Sequence, residues 1–208
     1  NVSFTTKDNI KIRGWLIISK KANGTVIIGH GYPFDKGNIL PVAKFLYPDY
    51  NLLFYDHRYF GESSGRISTL GLKEVEDVNA AVEFVRNRFG DNEDIALYGF
   101  SLSASAMLMS KQDVDAIIAD SAYADLEMMV EHVFSIFGPL KFIFAKSMNI
   151  VSKLFLGTSP RYISPANSIK DSKTAILVIH GSKYSHIPVD NAYKLKASNP
   201  SIELWIVE

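Results

Sequence analysis

Ser101 stands where the chain changes from apolar to small residues. Ile95, Ala96, Leu97 and Tyr98 form a short apolar run, Gly99 permits a tight turn, and Ser101 to Met109 are small or apolar. That order predicts a buried strand, an abrupt turn and a packed helix, with Ser101 at the apex. A serine hydroxyl is a weak nucleophile in water. A strained strand-to-helix turn exposes its oxygen, and backbone N–H groups at the helix start can stabilise an oxyanion developing on a substrate. Gly99-Phe100-Ser101-Leu102-Ser103 is the G-x-S-x-G nucleophile-elbow pattern with serine replacing its second glycine, a small residue that still permits close packing. The plainer expectation for Ser101 is a helix N-cap, since serine is a preferred cap.

Three other stretches place polar residues at the ends of apolar runs. They are Ile28-Gly29-His30-Gly31, the nine residues Tyr55-Asp56-His57-Arg58-Tyr59-Phe60-Gly61-Glu62-Ser63, and Val178-Ile179-His180-Gly181 followed by Ile187-Pro188. With the elbow, they make the chain resemble the α/β-hydrolase superfamily over nearly its full length, in particular single-domain serine esterases and peptidase-like hydrolases. The resemblance implies an α/β-hydrolase fold: a mostly parallel eight-stranded sheet, an antiparallel N-terminal hairpin, helices on both faces, and a helical cap inserted at 126–165 in a single domain of 1–208. It implies a serine hydrolase that cleaves a carboxylic ester, thioester or amide through an acyl-enzyme on Ser101, with a small-molecule acyl substrate and no cofactor. The oxyanion donors it implies are the backbone N–H groups of Tyr32, just after His30-Gly31, and of Leu102.

The same resemblance exposes departures. Ser101 needs a base to take its proton and an acid to orient that base. The usual acid position, counted from Gly181 with Pro188 as second anchor, holds Tyr184, which is neutral near pH 7. Asp120, ending the preceding strand, is the substitute acid, although Asp-Ser at a strand end also caps turns. The base is expected in the loop after the last strand, hence beyond Glu208, because none of the five histidines fits the family position. In the D-x-R-G-x-G-x-S turn, Tyr59 replaces a usual glycine, and Asp56, His57 and Arg58 are expected to hold the loop, not a metal. These departures support an alternative, a catalytically impaired binding protein that keeps the hydrolase scaffold.

Helical and strand periodicities supply the frame around these residues. Val2–Thr6 and Lys11–Ser19 read as a hairpin; Thr25–Ile28, Asn51–Tyr55, Val114–Ala119, Ala175–Ile179 and Ile202–Val207 read as strands. Val75, Val78, Val82, Val85 and Phe89 define a surface helix, with Glu74, Glu76, Asp77 and Glu83 expected mainly on its other faces. Apolar helical segments follow at Met128–Phe137 and Leu140–Leu156. Phe134 and Phe137, with the phenylalanines at 142, 144 and 155, are expected to line the cap over a substrate. Lys141, Lys146 and Lys153 argue against a membrane span there.

Composition narrows the class. The 208 residues are enough for one domain with a sizeable core, and Lys plus Arg balance Asp plus Glu at 22 each. With no cationic surplus and no Arg-rich stripe among aromatics, nucleic-acid binding is disfavoured. The chain lacks cysteine, so disulfides and thiolate chemistry are excluded and the redox compartment cannot be read. It begins at Asn1 without methionine, as a processed or trimmed chain would, so a signal or anchor can precede it; the default compartment is the cytoplasm. Oligomeric state is not legible.

Overall fold

Short runs of β-branched and aromatic residues between polar turns build one sheet. Its strands are β1 (Val2–Thr5), β2 (Lys11–Ile17), β3 (Thr25–Gly29), β4 (Asn51–Tyr55), β5 (Ile95–Phe100), β6 (Ala116–Asp120), β7 (Ala175–Gly181) and β8 (Glu203–Val207). The computed structural model describes residues 1–208 except the side chains of Lys141, Phe142, Ala145 and Phe155, so the expected roles of Lys141, Phe142 and Phe155 lie outside the described residues. The strand order is β1-β2-β4-β3-β5-β6-β7-β8, antiparallel at β1/β2 and β2/β4 and parallel elsewhere. This is the α/β-hydrolase architecture. Strands β3 and β4 are buried along their whole length, as strands covered on both faces must be.

Helix α1 (Lys36–Ala43) packs Ile39 and Ala43 onto Val26, Ile28, Leu52 and Phe54 on one face. Helices α2 (Glu74–Phe89) and α3 (Leu102–Met109) cover the larger core on the other face. Between β6 and β7 the chain forms α4 (Leu126–Val133), a 3-10 segment over Phe134–Leu140, α5 (Lys141–Leu156) and the short α6 (Pro165–Ser168); α7 (Asp190–Ser198) precedes β8.

The surface reading of α2 needs correction. Val78, Val82 and Val85 are buried as expected, but Glu74 and Asp77 are fully buried with them. Hydrogen bonds compensate their desolvation. Glu74 accepts from the Thr69 hydroxyl at 2.6 Å, the Thr69 N–H at 2.8 Å and the Gly71 N–H at 2.9 Å. Burial alone would raise its carboxyl pKa, yet these donors bring it below the ordinary value.

Register then gathers the chemistry at one edge. Gly29 lies opposite Tyr55 and Gly99, Phe100 opposite Asp120, and Asp120 opposite Ile179, so the carboxyl ends of five parallel strands meet. Strand order reverses across β3 there, the crevice where open α/β sheets bind ligands.

Candidate active site

Ser101 has φ 53° and ψ −109°, a conformation that costs a residue with a Cβ about 1–3 kcal/mol. Neighbouring bonds hold it there. Its N–H donates to the Asp120 carbonyl at 2.8 Å, and its own carbonyl accepts from the Ser105 N–H at 3.1 Å. Gly99 is required because a Cβ at that position would come within 2.5 Å of the Ala104 nitrogen. The Ser101 hydroxyl makes no capping bond, so the N-cap expectation fails for the side chain. Leu102 opens α3, where first-turn amides have no intrahelical acceptor.

The loop after β3 runs beside the elbow. A Cβ on Gly31 would stand 2.8 Å from the Phe100 ring and 3.1 Å from Ser101 Cβ, so only glycine lets the two segments approach this closely. His30 secures the loop: Nδ1–H donates to the Gly31 carbonyl at 2.9 Å, and Nε2 accepts the His57 N–H at 3.0 Å. Its burial, reinforced by nearby His57, lowers its pKa to about 4, and this neutral tautomer satisfies both bonds.

Tyr32, Ser101 and Leu102 share the wall of one cavity of about 370 Å³. Its other walls are mainly apolar, with Met129, Val133, Phe134 and Met148 coming from the segment between β6 and β7. Phe134 therefore reaches the cavity. Phe137 does not; it packs on Phe134 and Phe144, with ring centroids 6.2 Å and 4.4 Å apart. His186 also lines the cavity, a placement that counting from Gly181 did not reveal.

The two acid candidates lie to one side. Asp120 faces a separate cavity of about 350 Å³ with His30, Phe34 and Phe100, and accepts hydrogen bonds from Ser121 at 2.8 Å and Tyr98 at 3.3 Å. Burial raises its pKa despite those donors. Tyr184 occupies the turn after β7, its N–H bonded to the Gly181 carbonyl at 3.1 Å and its ring near Phe100 and His186. Burial and the Asp120 charge both raise the phenol pKa, so the position carries no negative charge near neutrality.

A further constellation escaped the sequence reading. Ser103 lies 3.0 Å from His57 Nε2, and His57 Nδ1 lies 3.2 Å from Asp77 Oδ2. All three residues are fully buried, and Asp77 also accepts from the Arg58 N–H and Nε at 2.9 Å. Asp56 binds the Lys36 N–H at 2.8 Å, the Lys36 ammonium at 2.5 Å and the Glu62 N–H at 2.9 Å. The turn is thus pinned by carboxylates, as expected for Asp56 and Arg58. Tyr59, at φ 76°, occupies a backbone conformation that explains why glycine is usual there. Among the described residues, no group of three or more His, Cys, Asp or Glu side chains is arranged to hold a metal.

Residues 17–134 match the family described as X-Pro dipeptidyl-peptidase (S15 family). The uncharacterized protein YqkD of Bacillus subtilis (strain 168) is 27% identical over 191 residues, covering 88% of this chain and 63% of its own length. The uncharacterized protein YfhR of Salmonella typhi is 29% identical over 209 residues, covering 95% of this chain and 68% of its own. The chain thus spans somewhat less than two thirds of YqkD and slightly more than two thirds of YfhR. Among solved structures, the Pyrococcus furiosus esterase Pf2001 superposes with a TM-score of 0.77 at 29% identity, covering 99% of this chain and 80% of that one.

Proposed function

Because the chain belongs to the X-Pro dipeptidyl-peptidase (S15) family and has an α/β-hydrolase fold, we propose that it is a serine hydrolase acting on a small carboxylic ester, thioester or amide. The observation that carries this reading is the strained, uncapped Ser101 facing an apolar cavity beside the Tyr32 loop and the α3 N-terminus. The similarity to Pf2001, an esterase, agrees with it. Ser101 Oγ attacks the acyl carbon as a base takes its proton, while the Tyr32 and Leu102 N–H groups receive the developing oxyanion. The intermediate collapses by breaking the bond from the acyl carbon to the alcohol, thiol or amine, which leaves with that proton, and water then attacks the acyl-Ser101 ester, releasing the acid and restoring the serine. The segment 126–165 acts as a cap, with Phe134 against the acyl chain. No cofactor participates in this scheme.

Acyl transfer requires a general base for the Ser101 proton, and a histidine in the loop after β8 is proposed to supply it. Among the described residues no histidine hydrogen-bonds Ser101, and His186 is the one that shares its cavity. The orienting acid is proposed to be Asp120, with Tyr184 a lost acid position. A fluorophosphonate probe should label Ser101, and Ser101→Ala should abolish labelling and lower ester turnover at least about a thousandfold. Tyr184→Asp and Asp120→Asn separate the acids: loss in the second without gain in the first assigns Asp120, and the reverse pattern assigns position 184. The binding-protein reading draws on Tyr184 and on the unpartnered Ser101 hydroxyl. Absence of labelling together with saturable binding of an acyl ligand would establish it instead.

A further inference from the structure

The outer side of the segment between β6 and β7 is apolar where a soluble surface is normally polar. On α5, Ile143, Ile150 and Leu154 are 65%, 59% and 77% exposed, and their spacing of seven and four residues puts them on one stripe. Ile136 and Leu140, in the preceding 3-10 segment, extend the apolar surface. The inner side of α5 is already committed, with Met148 in the cavity wall and Ser152 buried.

Charge identifies the occupant. No acidic residue occurs between Glu131 and Asp171, whereas Lys141, Lys146, Lys153, Arg161 and Lys170 fall in that interval of a chain with zero net charge. Lys146 and Lys153 are exposed, and their spacing from Ile143 and Ile150 sets both on one flank of the apolar stripe. Lysines beside an apolar face can lay their stems along it and hold their ammonium groups at headgroup level. A two-fold contact through the α5 stripe would instead bring these cations near their own images, with no carboxylate between Glu131 and Asp171 to meet them. Among the described residues no helix is long and apolar enough to cross a membrane, so the helix would lie in the surface plane.

We propose that the outer face of α5, with the 3-10 segment before it, docks on the surface of a membrane carrying anionic lipids. Docking is independent of which residue performs any chemistry. It would set Val133, exposed on the surface and also a wall of the Ser101 cavity, close to the lipid boundary.

Flotation with vesicles tests this. Vesicles of equimolar phosphatidylcholine and phosphatidylglycerol should bind the protein at least about tenfold better than phosphatidylcholine alone, since each lysine near an anionic surface contributes about fivefold. Raising the salt concentration should weaken that preference as screening shortens. Lys146→Glu with Lys153→Glu should reduce binding to the mixed vesicles by about twentyfold or more. Ile143→Ser with Leu154→Ser should reduce it by at least about tenfold, with an unchanged far-UV circular dichroism spectrum confirming that the fold is intact. Equal binding to both vesicle types, or indifference to the lysine reversals, would overturn the proposal. So would absence of vesicle binding, and concentration-dependent dimerisation lost on Ile143→Ser with Leu154→Ser would then assign the face to a second copy.

Discussion

Ser101 and Ser103 stand two residues apart at the head of α3, in opposite circumstances. Ser101 opens on a cavity and meets no imidazole among the described residues. Ser103 has His57 at 3.0 Å and Asp77 behind that ring, yet is fully buried and lines none of the cavities described above. By connectivity alone Ser103 is the better triad. A substrate cannot reach it, and its Oγ is wedged where a Cβ on Gly29 would have to go. The difference shows that the same three residue types serve as internal bracing when water and ligand are excluded. The bracing reaches the candidate site because the His57 N–H, on the residue whose ring meets Ser103, also holds His30 of the Gly31-Tyr32 loop.

Breaking the brace at its charged end should have the largest effect. Asp77→Ala leaves the buried Arg58 short of a partner and His57 Nδ1 without an acceptor, and should cost about 3–5 kcal/mol in urea denaturation. A cost below about 1 kcal/mol would show that the network does not support the fold. Acid tests the His30 link. Because the folded pKa of about 4 lies below the ordinary 6.5, the unfolded chain binds more protons between those values, so stability falls as pH drops through that window. The loss should total about 3 kcal/mol, and His30→Gln should flatten this part of the pH profile. A profile as steep in the variant as in the parent would assign the acid sensitivity elsewhere.

Two smaller substitutions at the paired serines should act in opposite senses. Ser103→Ala removes the hydroxyl that meets His57 and should cost about 1–3 kcal/mol, while fluorophosphonate labelling of the folded protein persists. Ser101→Gly relieves the positive-φ strain and should stabilise by about 1 kcal/mol, yet eliminate labelling. Labelling lost in Ser103→Ala but retained in Ser101→Gly would exchange the roles proposed for the two serines.

The elbow was legible because it is local. Gly99, Ser101 and the small residues after them are contiguous, and glycine's freedom with helix packing nearly dictates the turn. The pairing of Asp77 with His57 and of His57 with Ser103 was not, since it joins residues 20 and 46 positions apart. Hydropathy also misdirected the reading of α2, because it assigns carboxylates to water without counting the donors that Thr69, Gly71 and Arg58 bring to them. Phe134 and Phe137 look equivalent in sequence. They diverge because Phe134 closes α4 at the cavity wall, whereas Phe137 lies further along the 3-10 segment and packs on Phe134 and Phe144 instead.

Strand and helix order, the serine at the strand-to-helix turn and the neutral tyrosine at position 184 were therefore determined by the sequence alone, since each depends on neighbouring residues or on residue identity. Tertiary structure alone decided which serine opens on a cavity, that His186 joins its wall, that Asp120 faces a different cavity, and that two carboxylates of α2 are interior. These outcomes depend on access and on partners brought from distant strands, and a side chain's desolvation and hydrogen bonds exist only after those strands have paired.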